Sequence, residues 1–428
     1  MRYKRDQSES WLRRSAARVP GCAQTFSKSP ISFVQGVAPT FLARAKGAHV
    51  WDVDGNRFID MILGLGPVIL GHADEAVNEA VRNQMELGVS FSLPHPVEVE
   101  LAELLCEIIP CAEMARFGKN GSDVTTAAVR VSRGYTGRDK VARCGYHGWQ
   151  DWYIGSTNRN LGVPRAVSAL TLSFPYNNLE ALHQLFRENE GEIACVIMEP
   201  ANFDAPAPGY LEGVREICTK SSTLLVFDEV VTGFRISLGG AQELFGVTPD
   251  LACFGKGMAN GFPLSAIVGK GDVMRLFEEV FFSGTFGGET ASIAASLATI
   301  SELRRRDGIS CLWNNGAALQ RGTQLLLKQH GVSDRAECAG MAPWTTVRLR
   351  GFDESQTLAL RSYFQQEAIK RGILTHGNHM LSVAHDESVI GEVLAAYSEI
   401  IPLLAEAIRH GDVERRLEGP PVRPVIRS

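Results

Sequence analysis

Apolar positions along this chain follow two alternating rhythms from about residue 75 onward. Helical spacing covers about 74–88 and 97–109, and a glycine turn at KNGSD opens a third predicted helix over about 123–136. Short apolar runs then read as buried strands: VIM at 196–198, TLLVFDE at 223–229, LACFG at 251–255 and SAIVG at 265–269. Helical connections between several of them predict a mostly parallel sheet covered on both faces. Upstream, residues 41–60 read as one hairpin turning at Asp54-Gly55. The acids Asp52, Asp54 and Asp60 lack the spacing of a calcium loop, so the turn reads as a plain one. Residues 288–330 read as helical. Residues 343–428 read as a smaller α+β unit, with WTTVRLR as a strand and VIGEVLAAYSEIIPLLAEAI as an amphipathic helix. The Pro-rich end, EGPPVRPVIRS, is expected to be poorly ordered.

Composition narrows the class. A chain of 428 residues is long enough for two or three domains. Its 43 basic and 48 acidic residues leave a net charge of −5, which argues against nucleic-acid and membrane-surface partners. Nine cysteines without a C-x-x-C pair argue against a disulfide framework or a zinc site, and place the chain in a reducing, cytoplasmic compartment. No uncharged apolar stretch approaches the roughly 18 residues of a membrane span. The Arg-rich first 18 residues read as a solvated helical arm. Glycine is in excess, at 42 residues, which signals tight turns or close backbone approaches.

Candidate chemistry starts from absences: there is no G-x-G-x-x-G, P-loop, H-E-x-x-H or G-x-S-x-G. His376, His379 and His385 lie close together, but HGNH lacks a third ligand in clear register; they read as surface or substrate-side histidines, and no metal is expected. Four features remain, each at a strand end or helix start, where α/β sheets bind ligands. Lys256, between Gly255 and Gly257, is either a solvated loop lysine or a desolvated nucleophile. Asp228 ends an apolar run and is either one half of a structural salt bridge or a buried acid with a purpose. Asn120-Gly121-Ser122-Asp123 is a helix cap or a phosphate cradle. Tyr146-His147-Gly148-Trp149 is loop packing or an aromatic platform for a planar ligand. A lysine, an acid, a phosphate cradle and an aromatic ring on one α/β scaffold together meet the needs of pyridoxal 5′-phosphate (PLP).

The run DEVVTGFR (228–235), with Lys256 in GKGMANGFPLSAIVG 28 residues after Asp228, resembles the class III aminotransferases, and within them the glutamate-1-semialdehyde aminomutase-like branch. PGCAQTFSKSP, WDVDGNRFID, RFGKNGSDVTTAAVR, GYHGWQDW, IMEP and SGTFGGE extend the likeness over most of the chain. The resemblance implies PLP fold type I, an α/β fold. It divides the chain into an N-terminal arm with part of a small domain (1–75), a large cofactor domain (76–310) and a C-terminal small domain (311–428).

It also implies roles for individual residues. Lys256 carries the cofactor as a Schiff base, Asp228 pairs with the ring nitrogen, and Val230 and Tyr146 cover the two ring faces. Gly121 and Ser122 hold the phosphate, His147 and Glu199 line the cofactor pocket, and Thr285 reaches the phosphate from the partner subunit of a homodimer. Lys28, Trp51, Trp149 and Asn378 fall on the substrate side. The implied activity is ping-pong transfer of an amino group from an amino donor to a carbonyl acceptor. A 2,1-aminomutase on the same scaffold is the alternative, and a binding protein that has lost catalysis is a third reading, opposed by the intact Lys256 and Asp228. Departures from the family pattern are Asn120 to Asp123 in the phosphate loop, Ala201 to Asp204 after the Glu-Pro pair, Glu289 in place of Asn, and Lys28 where the aminomutase has arginine.

Overall fold

The computed structural model describes residues 3–423. They form two compact units, one from residues 67–69 and 75–309, the other from the chain before residue 67, residues 70–74 and the chain from 310 onward.

The larger unit is built on a seven-stranded sheet. In spatial order its strands are Met114–Gly118, Ser265–Gly269, Leu251–Phe254, Leu224–Asp228, Ile193–Met198, Lys140–Cys144 and Thr171–Ser173. Ser265–Gly269 alone among them runs antiparallel to its neighbours. The four central runs read from sequence are therefore strands, and three further strands escaped that reading. Arg116, Lys140 and Arg143 interrupt the apolar pattern of two of these, and Thr171–Ser173 is too short to show one. Ile193–Met198 and Leu224–Asp228 are buried along their whole length, as strands covered on both faces must be. The helix Gly121–Thr136 lays Val124, Ala128 and Val131 over Ile197, Val226, Cys253 and Ile267. Each such fully buried branched side chain contributes roughly 1.5–3 kcal/mol of transfer free energy.

The smaller unit corrects several expectations. Residues 41–60 form three strands, Leu42–Lys46, His49–Asp52 and Arg57–Asp60, because Gly47, at φ +58°, makes a first turn inside the expected arm. At the second turn the Asp52 carboxylate accepts the N–H groups of Asp54 (3.0 Å) and Asn56 (2.8 Å). Asp54 in turn accepts from Gln7 and Ser8, which pins the start of the arm helix Asp6–Ala16. The helical stretch expected over 288–330 is two helices, Thr290–Arg305 and Gly308–Gln329, parted where Asp307 takes φ +46°. The helix Glu387–His410 is long and apolar enough to cross a membrane by length and composition, though Glu392 and Glu399 interrupt its apolar run as the sequence reading requires; here it buries Val393, Tyr397, Ile401 and Leu404. The Pro-rich end is tied down as far as it is described: Glu418 N–H donates to Gln366 (2.8 Å), Val422 N–H to Ser362 (3.0 Å) and Arg423 N–H to the Ile31 carbonyl (3.0 Å). Residues 424–428 of that segment lie outside the described residues.

The three histidines are also corrected. His379 and His385 are fully buried, and His376 is half-buried against the Phe33 ring. His379 is gripped by the Thr345 hydroxyl (2.8 Å) and the Tyr397 hydroxyl (2.7 Å), and His385 by Ser382 Oγ (2.8 Å). Among the described residues no group of His, Cys, Asp and Glu is arranged to hold a metal ion. Burial pushes His379 down to about 3 and His385 to about 4, so both stay neutral in the folded chain. In the unfolded chain they protonate near about 6.5. Between those limits the unfolded state binds more protons than the folded one, so stability falls as pH falls. Urea midpoints should drop steadily from pH 6.5 to pH 4.5, each histidine contributing up to about 1.4 kcal/mol per pH unit. The variant His379→Gln should show a shallower decline, and an unchanged slope would contradict this account.

Candidate active site

Six of the seven strands point their carboxyl ends to one edge of the sheet, and the candidate residues of the larger unit gather there. Asp228 is the last residue of its strand, Lys256 follows the end of Leu251–Phe254 by two residues, and Glu199 directly follows Ile193–Met198. Tyr146, His147 and Trp149 follow Lys140–Cys144, and Gly121 and Ser122 open the helix after Met114–Gly118. Carboxyl ends of parallel strands are where such sheets bind ligands.

Asp228 is buried, and its Oδ2 lies 2.8 Å from His147 Nδ1. His147 Nε2 lies 3.1 Å from the Cys144 carbonyl, which can only accept, so Nε2 carries a hydrogen. Trp152 stacks on the buried imidazole at 6.1 Å and holds its plane. Asp228 Oδ1 accepts the Val230 N–H at 3.1 Å. Sequence reasoning placed His147 in the pocket but missed its bond to Asp228, since the two residues are 81 positions apart.

Lys256 adopts a left-handed backbone, φ +40°. Such a conformation costs a non-glycine residue about 1–3 kcal/mol and recurs at functional sites. Its side chain keeps partial solvent access, yet burial of the ammonium lowers its pKa below the ordinary lysine value. Asp228 and Glu199 oppose that shift, and Arg235 adds to it. Arg235 is the largest fully buried side chain among the described residues. It was not singled out from sequence, where an arginine between Phe234 and Ile236 was the available signal. Glu199 is pushed up, first by burial and then by Asp228. Its Oε2 accepts the Tyr146 N–H at 3.1 Å.

At the helix start the Asp123 carboxylate accepts the N–H groups of Lys119 (3.0 Å) and Asn120 (2.8 Å). The cap reading is thereby met, and the cradle reading stands beside it. The first N–H groups of a helix have no partner within it and favour an anion. Ser122 Oγ faces the aromatic turn, 3.4 Å from the Trp149 N–H. Val230 fits between Gly121 and Gly255: a Cβ on either glycine would meet Val230 Cγ1, at 3.1 Å and 3.5 Å. A Cβ on Gly148, at φ +107°, would lie 2.2 Å from Ser122 Oγ. The Tyr146 ring is 50% exposed and meets Tyr153 edge-on at 5.5 Å. An anion cradle, an open aromatic face, a buried acid and a desolvated lysine on one edge fit a planar, phosphorylated carbonyl cofactor.

The family model described as "Aminotransferase class-III" matches residues 33–375. The chain belongs to this family. It is 38% identical over 387 residues to the 3-aminobutyryl-CoA aminotransferase of Cloacimonas acidaminovorans (strain Evry), covering 88% of this chain and 92% of the relative. Among solved structures, the FumI protein of Sphingopyxis sp. MTA144, described with PLP, shares 26% identity at a TM-score of 0.88, covering 97% of this chain and 98% of that one. A β-phenylalanine aminotransferase from Variovorax paradoxus shares 27% identity at 0.81, covering 92% and 93%. A glutamate-1-semialdehyde aminomutase from Pseudomonas aeruginosa PAO1, at 21% identity and 0.80, shares the fold, with 94% of each chain covered. The protein is a PLP-dependent transaminase of the fold expected from its sequence.

Other residues of this class III aminotransferase sit as follows. Thr285 is exposed on the loop before Thr290–Arg305 and lines a cavity of about 390 Å³ with Lys119, Arg130 and Phe286. Trp149 is exposed. In the smaller unit, Lys28 is exposed beside an apolar cavity of about 340 Å³, Trp51 lies under the Arg44 guanidinium, and the Asn378 amide accepts from Thr346 (2.9 Å). Two departures from the family pattern gain a local explanation. Glu289 pairs with Lys119 (2.8 Å) and caps its helix through Ala291 and Ser292. Asn202 closes a small turn onto the Asp204 N–H (2.7 Å).

The Gly148 packing yields a direct test. Gly148→Ala should weaken PLP binding by roughly ten- to hundredfold, as strain of about 1–3 kcal/mol requires. Absorbance titration of the apoprotein measures it. Binding of unchanged strength would show that the turn and the helix start are not one cradle.

Proposed function

We propose that this transaminase handles an amino group on a carbon that is not α to a free carboxylate, with β-amino acyl compounds as the first class. The observation that carries this reading is the 38% identity, over nearly all of both chains, to a protein named for 3-aminobutyryl-CoA. A solved relative is likewise named for a β-amino acid. The aminomutase-like branch and its isomerase activity are supported more weakly, by a likeness at 21% identity and by motifs that carry Lys28 instead of arginine. Lysine offers a point charge where the fork of arginine would grip a carboxylate by two bonds.

Bound PLP supplies an electron sink that makes a proton on the substrate carbon labile. In our reading the chain does the rest. Gly121 and Ser122 hold the phosphate with backbone N–H groups and a hydroxyl. Val230 and Tyr146 would cover the ring faces, and Asp228, steadied by His147, would hold a proton on the ring nitrogen. Lys256 would hold the cofactor through its side-chain amine. Burial then favours its neutral amine, which takes the proton from the substrate carbon and returns it within the same half-reaction. Lys28, Trp51, Trp149 and Asn378 are proposed as substrate-side residues on the family resemblance. Nine free cysteines, six of them buried, support a reducing, cytoplasmic setting.

A half-reaction screen tests the substrate class. β-Amino acyl-CoA thioesters and β-amino acids should discharge the cofactor band faster than α-amino acids, and steady-state double-reciprocal lines should be parallel. Preference for α-amino acids, or intersecting lines, would contradict the proposal; turnover of an amino-aldehyde without any donor would establish the isomerase instead. Lys256→Ala should lower kcat by at least about 10²–10⁴-fold.

The assignment of Thr285 to the partner's phosphate makes the enzyme a homodimer with shared sites. Mixed Lys256→Ala and Thr285→Asp subunits should regain about a quarter of wild-type activity, since half the dimers are hybrids with one intact site each. No recovery despite verified hybrids would rule out sharing.

A further inference from the structure

Glu199 is an acid without an assigned task in the reaction outlined above. Its backbone N–H is tied to the Cys144 carbonyl at 3.1 Å, and its carboxyl reaches across to the aromatic turn. There Oε2 accepts the Tyr146 N–H at 3.1 Å. The residue between these two ties is Gly145, at φ +104°, and a Cβ there would stand 2.5 Å from Oε2 and 3.0 Å from Glu199 Cγ. The carboxyl therefore occupies the volume that any other residue at 145 would need. It also closes a short loop, from the Cys144 carbonyl through Glu199 to the Tyr146 N–H. The same Cys144 carbonyl accepts His147 Nε2, so the turn is held on both sides of Tyr146.

We propose that Glu199 is a positioning residue, which sets the Tyr146 ring against the cofactor by accepting the Tyr146 N–H as a hydrogen-bond acceptor rather than by its charge. This rests on reading the carboxyl edge as the cofactor cradle. The contact itself, one oxygen accepting one N–H at 3.1 Å, asks for an acceptor and not for a charge. Burial and Asp228 push the carboxyl up, while His147, the Tyr146 N–H and Lys256 push it down. A neutral carboxyl still offers the carbonyl oxygen that Tyr146 needs. Glutamine offers the same oxygen in the same place.

The experiment compares Glu199→Gln and Glu199→Ala with wild type in the purified holoenzyme. It reads PLP affinity by absorbance titration and the induced circular dichroism of the bound cofactor, which follows the orientation of the ring. Glu199→Gln should keep the wild-type dichroism and bind within about threefold, whereas Glu199→Ala should lose about tenfold in affinity and change the dichroic band. In a Tyr146→Ala background the Glu199→Ala change should add little, because the two act through one contact. A Gln variant as impaired as the Ala variant would overturn the acceptor role in favour of charge. An Ala variant like wild type, or one whose effect persists without the Tyr146 ring, would overturn positioning. Wild-type protein that takes up no PLP would overturn the cradle reading itself, which these variant comparisons leave distinct.

Discussion

A carboxylate at the end of a strand buried on both faces needs a counter-group, and the carboxyl edge of the larger unit is organised around that need. Left alone, a buried acid would cost several kcal/mol or take up a proton. Asp228 meets His147 at 2.8 Å, and the imidazole in turn meets the Cys144 carbonyl. The chain of acceptors fixes both ring nitrogens, and Trp152 fixes the plane. One strand end is thereby locked to the turn that follows another. Gly145 and Gly148, at φ +104° and +107°, let that turn approach Glu199 and Ser122 more closely than a Cβ would permit. The acid that must be neutralised is thus also what places the aromatic turn against the helix start.

Much of this was legible in the sequence, for identifiable reasons. Strands buried on both faces are continuous apolar runs, so Leu224–Asp228 and Ser265–Gly269 announced themselves, and the polar residues that follow such runs stood out as Asp228 and Lys256. The helix Gly121–Thr136 was signalled by its glycine turn, though the turn itself proved to be the first turn of the helix. Edge strands were not legible, because their exposed positions break the pattern. The strand Met114–Gly118 carries only one fully buried residue, Gly118.

What the sequence withheld was pairing across distance. The distance between His147 and Asp228, the burial of His379 and the cross-link of Lys119 to Glu289 each depend on tertiary register. Local composition carries no signal of that kind. A histidine in a polar stretch such as HGNH looks solvated, and only the arrival of Thr345 and Tyr397 makes a buried neutral imidazole tolerable. Glu289 shows the converse. Against the family pattern it is an anomaly, yet in place it caps a helix and meets a lysine, so the substitution is locally self-consistent.

The charges at the site also constrain how Lys256 can work. Burial and Arg235 push its amine toward neutrality, while Asp228 and Glu199 hold the proton on. Glu199 counts on the acid side only while ionised, and burial with Asp228 opposes its ionisation. The same neighbour thus acts twice: Asp228 favours the charged lysine directly, and opposes it indirectly by disfavouring ionisation of Glu199. The charge on the lysine is thus tied to the charges of the acids beside it. A ligand that drives water from the edge strengthens every one of these terms, since all act through the low local dielectric. Burial moves the lysine toward release of its proton, and the two acids beside it set how far that goes.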